Sequence, residues 1–138
     1  MAGSSSAVTS RETRDYGRVD KKWVEIVTVD WVADDADGTV PDLSLELRGY
    51  LLKAITIPGA TNPTADYDLA LGDPDDSDLD ALGGALADRS ASATEQVAPV
   101  LSGATHPVFL AGNYTLSLAN NSANDATGKV IFYLADSV

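Results

Sequence analysis

The chain has 138 residues, 44% of them apolar, with 9 Lys or Arg against 21 Asp or Glu, a formal net charge of −12, and no cysteine. These totals fit one globular domain with a sizeable core, and they exclude disulfides and thiolate metal sites. They weigh against a nucleic-acid partner, because phosphate binding depends on Lys and Arg displacing counterions, and no apolar run reaches the ~18 residues of a membrane-spanning helix.

Residues 1–20 hold Gly, Ser, Thr and charge, with Val8, Tyr16 and Val19 as the only sizeable apolar groups. They read as an extended N-terminal arm ahead of a domain over residues 21–138. They lack the apolar stretch of a signal peptide, so folding without export is expected. Charge is uneven. Residues 1–22 carry Arg11, Arg14, Arg18, Lys21 and Lys22 against Glu12, Asp15 and Asp20, a net of +2. The remainder carries 4 cations against 18 acids, a net of −14. A basic leader on an acidic body suggests an arm that docks on something acidic, set against the alternative of a solvated tail.

Residues 22–33 form the first expected strand. Trp23, Glu25, Val27, Val29 and Trp31 share one face, and Val24, Ile26, Thr28, Asp30 and Val32 the other. Both faces are largely apolar, which predicts a central strand or one packed on both sides. Asp34 to Gly38 is a turn. Leu43, Leu45 and Leu47 then alternate with polar residues, Gly49 permits a bulge, and Tyr50 to Ile57 continues as a second β segment before Pro58-Gly59. Tyr67 to Leu71 is a short strand. Residues 78–88 make a loop with one helical turn at most, because Gly83-Gly84 interrupts them. Strands are expected over Ala93–Val100, Pro107–Leu110, Asn113–Ala119 and Lys129–Ala135, with Asn120 to Gly128 as a hairpin loop. The sum predicts an all-β antiparallel sandwich or barrel of about seven to eight short strands.

Few residues suggest chemistry. The run DPDDSDLD at 73–80 invites a calcium site, but counting from Asp73 the sixth and twelfth positions are Asp78 and Gly84, where an EF-hand needs Gly and Glu. A solvated loop is the alternative. His106 stands alone before Pro107, with no Gly-x-Ser-x-Gly elbow anywhere in the chain. The many carboxylates cluster in turns, away from aromatic platforms, so a hydrolase ranks low. Trp23 and Trp31 suit a core or subunit interface, or a stacking platform for sugar. The small-residue loops over 81–105 could lie flat against another protein. No cofactor is expected, and no nucleic-acid or membrane partner.

The segment DYDLALGDPDDSDLDALGGALADRSASATEQV, with Tyr114-Thr-Leu-Ser-Leu118 and Gly128-Lys-Val-Ile-Phe-Tyr-Leu134, resembles small β-rich virion proteins of tailed bacteriophages, of the capsid decoration (cement) type. The resemblance covers the last two thirds of the chain. It implies a non-enzymatic structural protein on the capsid exterior, made in the host cytoplasm, with the major capsid protein and copies of itself, often as a homotrimer, as partners. The residues expected to meet the capsid or a neighbouring subunit are Arg11, Arg14, Tyr16, Arg18, Trp23 and Trp31. A tail or head–tail connector protein and a carbohydrate- or host-binding module are the alternatives. The acidity itself also fits a protein from a saline habitat.

Overall fold

The computed structural model describes residues 4–16 and 22–137. The fold is all-β, with no helix among the described residues. Among the described residues nine strands run in chain order: β1 (Ser5–Asp15), β2 (Trp23–Val32), β3 (Leu43–Pro58), β4 (Asp68–Gly72), β5 (Glu95–Val97), β6 (Val100–Leu101), β7 (Ala104–Thr105), β8 (Val108–Ala119) and β9 (Thr127–Ala135). All pairings are antiparallel. Seven strands form one sheet in the order β1-β2-β9-β3-β8-β4, with β5 added on β3, while β6 and β7 make a separate hairpin.

The 16-residue β3 turns this sheet into a sandwich. Its first half, Leu43–Leu51, pairs with β8, and its second half, Tyr50–Pro58, pairs with β9. The strand changes layers where Gly49 adopts φ 108 and the register slips between Leu51 and Lys53. Such a φ suits glycine, and a Cβ there would lie 2.7 Å from the Ala135 carbonyl oxygen. One layer is therefore β1-β2-β9 with the second half of β3 and β5. The other is the first half of β3 with β8 and β4.

Alternation places the core between them. Val27, Val29 and Trp31 from β2 and Val130, Phe132 and Leu134 from β9 meet Leu45 and Leu47 from β3, Leu69 and Leu71 from β4, and Leu110 and Leu116 from β8. Each fully buried side chain of this size contributes about 2 kcal/mol. Trp31 and Tyr67 join the layers, with ring centroids 5.7 Å apart. Asn121 ties three loops at one end: its Oδ1 accepts from Thr64 N at 2.9 Å and its Nδ2 donates to the Gly38 carbonyl at 2.7 Å.

Three expectations change. Residues 5–15 are not an arm standing off the domain but an edge strand in register with β2. Ser and Thr tolerate the extended backbone, and Val8 packs against the core. Pro107–Leu110 and Asn113–Ala119 are one strand, because Gly112 at φ 132 still pairs with Leu47. The segment after β8 is not a hairpin loop either. β8 and β9 lie on opposite sides of β3, so residues 120–126 cross from one layer to the other.

Candidate functional site

The expected contact residues separate into distinct places. On β1, Arg11 pairs with Val27 and Arg14 with Val24, so the two guanidinium groups leave opposite faces of the sheet. Arg11 donates from Nη2 to the Glu46 carbonyl at 2.7 Å and from Nη1 to Glu25 Oε1 at 3.4 Å. Arg14 grips Glu12 through Nε at 2.9 Å and Nη2 at 3.3 Å. This contact holds the Glu12 carboxyl below the usual carboxylate range and raises Arg14. Tyr16, half exposed, follows β1, and its N–H donates to the Lys22 carbonyl. Arg18 lies outside the described residues. Trp31 is buried in the core at 2% exposure, beyond reach of any partner in the folded chain.

Trp23 is the member that faces space. With Thr13, Glu25 and Arg48 it lines an open cleft of about 360 Å³. An adjoining hollow of about 220 Å³ is lined by Arg11, Glu25, Glu46 and Arg48. The cleft exists because β3 leaves the larger layer at Gly49. Beyond that point no backbone ladder joins β1 to β3 among the described residues, and only side chains bridge the gap: Arg11 to the Glu46 carbonyl, and Ser6 Oγ to the Pro41 carbonyl at 2.7 Å. Arg11 is committed to Glu25 and Glu46. Arg48 has no ion-pair partner among the described residues and lines the cleft with Trp23. An exposed guanidinium next to an aromatic face can take a carboxylate or a polar ring stacked on the indole. Sequence pattern did not single out Arg48, Glu25 or Glu46. The available signal was the break at Gly49, immediately after Arg48.

The acidic loop organises backbone. Asp73 Oδ1 accepts from Asp75 N at 2.8 Å, and Asp76 Oδ1 from Asp78 N at 3.1 Å. Asp80 accepts from Leu71 N and Leu82 N on Oδ1 and from Gly84 N on Oδ2. No group of three or more His, Asp or Glu converges as a metal site among the described residues. His106 is exposed, with Nδ1 3.0 Å from the Pro107 carbonyl oxygen. The small-residue loop is partly core, since Leu82 and Leu86 are fully buried.

No protein-family model, curated protein or solved structure matches this chain.

Proposed function

We propose that this chain is a structural virion protein that binds the outer surface of a phage capsid and stabilises it. The observation that carries the reading is β1. It is an edge strand, almost wholly exposed, with Val8 as its one apolar contribution to the core, and it bears Arg11 and Arg14 on an otherwise acidic protein. Among the described residues no strand pairs with its second backbone edge. The open edge of β1 can take a strand of a neighbouring subunit without breaking its ladder to β2. Repeated over a shell, many such weak contacts add to high avidity. The resemblance of Asp66–Val97 and of the last two long strands to decoration proteins supplies the choice of partner, the major capsid protein.

The test is a chain lacking residues 1–20, assayed for decoration of purified capsids. The deletion removes the β1–β2 ladder but only one side chain, Val8, that packs on the core, so the truncated domain is expected to be less stable yet folded by circular dichroism, and to leave capsids bare. Decoration at wild-type occupancy would remove β1 from the account. Copy number in the virion separates the remaining structural alternative: near that of the major capsid protein for decoration, a handful for a connector.

One observation favours a second reading, a carbohydrate-binding module: Trp23 lines the open cleft together with Arg48, which has no ion-pair partner among the described residues. A sugar-dependent change in tryptophan emission that vanishes in Trp23→Ala would support it. Emission indifferent to sugars would count against it.

A further inference from the structure

The strand path β1-β2-β9-β3-β8-β4 has two ends, and they are finished differently. At β4 the segment over residues 79–89 closes the edge. Leu69 N–H donates to the Leu86 carbonyl at 3.0 Å, Ala81 N–H to the Leu71 carbonyl at 2.8 Å and Arg89 N–H to the Tyr67 carbonyl at 2.8 Å. At β1 no strand pairs with the outer edge among the described residues. Ser6 and Arg11 lean on β3 through single side chains, and beyond them Thr13 borders the open cleft. A bulge between Val8 and Ser10 interrupts the first part of this edge, after which Ser10 to Asp15 pair with β2 without a break. Residues 9–16 are all exposed. An edge of this kind is a template for a further strand.

The hydrogen-bond pattern fixes which backbone groups are left over. Tyr16 N–H donates to the Lys22 carbonyl, one step beyond the Asp15–Trp23 pair. Antiparallel ladders alternate, so Ser10, Glu12, Arg14 and Tyr16 turn their backbone groups to β2, and Arg11, Thr13 and Asp15 turn theirs outward. The side chains here read Arg11-Glu12-Thr13-Arg14-Asp15, a net of zero on a chain of −12. Their order inverts in sign about Thr13. Laid antiparallel on itself with Thr13 opposite Thr13, the segment sets Arg11 against Asp15 and Glu12 against Arg14, each pair twice. Centring on Arg11, Glu12, Arg14 or Asp15 instead sets that charge against its own copy. Glu12 and Arg14 already meet at 2.9 Å within the chain, with side chains 53% and 61% exposed. Across the axis they complete a square of alternating charge.

We propose that the outer edge of β1 pairs with β1 of a second copy, antiparallel about a two-fold axis at Thr13, so that the larger layers of two chains join into one continuous sheet. An isologous contact must be self-complementary, and the sign inversion about Thr13 supplies this. It is what selects a second copy: a foreign strand would have to bring the matching order of charges, and this chain carries it. Arg11, Thr13 and Asp15 form three hydrogen-bonded pairs with their counterparts, about six main-chain bonds. Directly opposite side chains on one face lie about 5 Å apart, so the main chain supplies affinity and the charge pairs set the register. The pairing belongs to the free protein and does not rest on the capsid reading. A capsid strand taking the same edge would displace the second copy.

Sedimentation equilibrium of the full chain tests this, from low to high micromolar at about 0.15 M salt. The Debye length is then ~8 Å, which screens the repulsion between two bodies of charge −12 more than it weakens pairs in contact. The expected mass rises from monomer to dimer with concentration. Glu12→Arg alone and Arg14→Glu alone each set like charges across the axis, and each is expected to stay monomeric where the native chain is dimeric. Mixed in equal amounts, the two variants set the added cation of one against the added acid of the other, and a heterodimer is expected. Both have lost the pair within the chain, so recovery in the mixture reports the contact between chains. Thr13→Pro removes an outward N–H, leaves the ladder to β2 intact, and is expected to abolish the dimer with an unchanged far-UV spectrum. A native chain that stays monomeric throughout overturns the proposal. So does a dimer that survives either charge variant or Thr13→Pro, or a mixture no heavier than its components.

Discussion

The indole of Trp31 lies directly against Gly128, its partner across β2 and β9. A Cβ on residue 128 would sit 2.4 Å from Trp31 Cζ2 and 2.9 Å from Nε1. Gly128 also pairs with Pro58, so the largest core side chain of the layer rests on the one position between β2 and β3 that has no side chain. Trp31 can then lean toward Tyr67 and join the two layers.

Gly128→Ala is therefore expected to be destabilising despite its small size. The methyl group cannot enter without moving Trp31, and overpacking of this kind costs about 1–3 kcal/mol. Urea unfolding followed by tryptophan emission measures the change. A midpoint equal to wild type would mean that the indole has room to retreat.

Asp80→Ala is expected to cost about 2–4 kcal/mol, because one carboxylate serves three backbone N–H groups and charge-assisted bonds are the stronger kind. Asp80→Asn should recover part of the loss. The same commitment of Asp73, Asp76 and Asp80 to backbone predicts that millimolar calcium leaves the melting temperature unchanged. A calcium-dependent rise reversed by chelator would restore the cation-site reading of this loop.

Tyr67 is fully buried, and neither its hydroxyl nor that of buried Thr56 finds a well-placed hydrogen-bond partner. Burial raises the phenol above its ordinary value of 10.0, with the Arg89 charge and the Thr56 hydroxyl opposing the shift. A raised folded value means that the contribution to stability is complete below the unfolded pKa of about 10 and is lost as pH climbs toward the folded one. Absorbance titration at alkaline pH should show one tyrosine silent until the protein unfolds. Tyr67→Phe, which removes a poorly satisfied buried hydroxyl, should be within about 1 kcal/mol of wild type and should abolish that silent class.

Arg11 joins β1 to β3 across the open edge, yet its side chain is 37% exposed and its partner Glu25 is 20% exposed. Arg11→Ala should cost about 1 kcal/mol or less in thermal unfolding. A larger loss would mean that the bridge to the Glu46 carbonyl holds the sandwich edge shut.

The sequence made legible what depends on alternation. The apolar alternation of Trp23 to Val32 predicted a central strand, and β2 lies between β1 and β9, but with both faces apolar it did not say that Val27, Val29 and Trp31 face the core. The Leu43, Leu45, Leu47 series predicted the first half of β3, and the break at Gly49 marked its bend. Connectivity was not legible, because a loop such as residues 120–126 has the same Asn, Ser and Asp chemistry whether it closes a hairpin or crosses between layers. β1 was hidden by composition: a strand that buries only Val8 lacks the apolar signal that identifies a strand. Of the candidate contacts, Trp23 lines a cleft and Trp31 fills the core, although they share one face of one strand. The difference lies in what stands opposite each of them, which alternation does not encode.

The place of β9 has a consequence for synthesis. This strand is the last of the nine to leave the ribosome, and it inserts between β2 and β3, the second and third. Until residue 135 has emerged, β2 and the second half of β3 have no neighbour along those edges, and Val27, Val29, Trp31 and Ala54 wait for Phe132 and Leu134. The larger layer cannot close until β9 has emerged. Until then the facing edges of β2 and β3 stay unpaired, and an open sheet edge of this kind is where a partly folded chain is prone to aggregate.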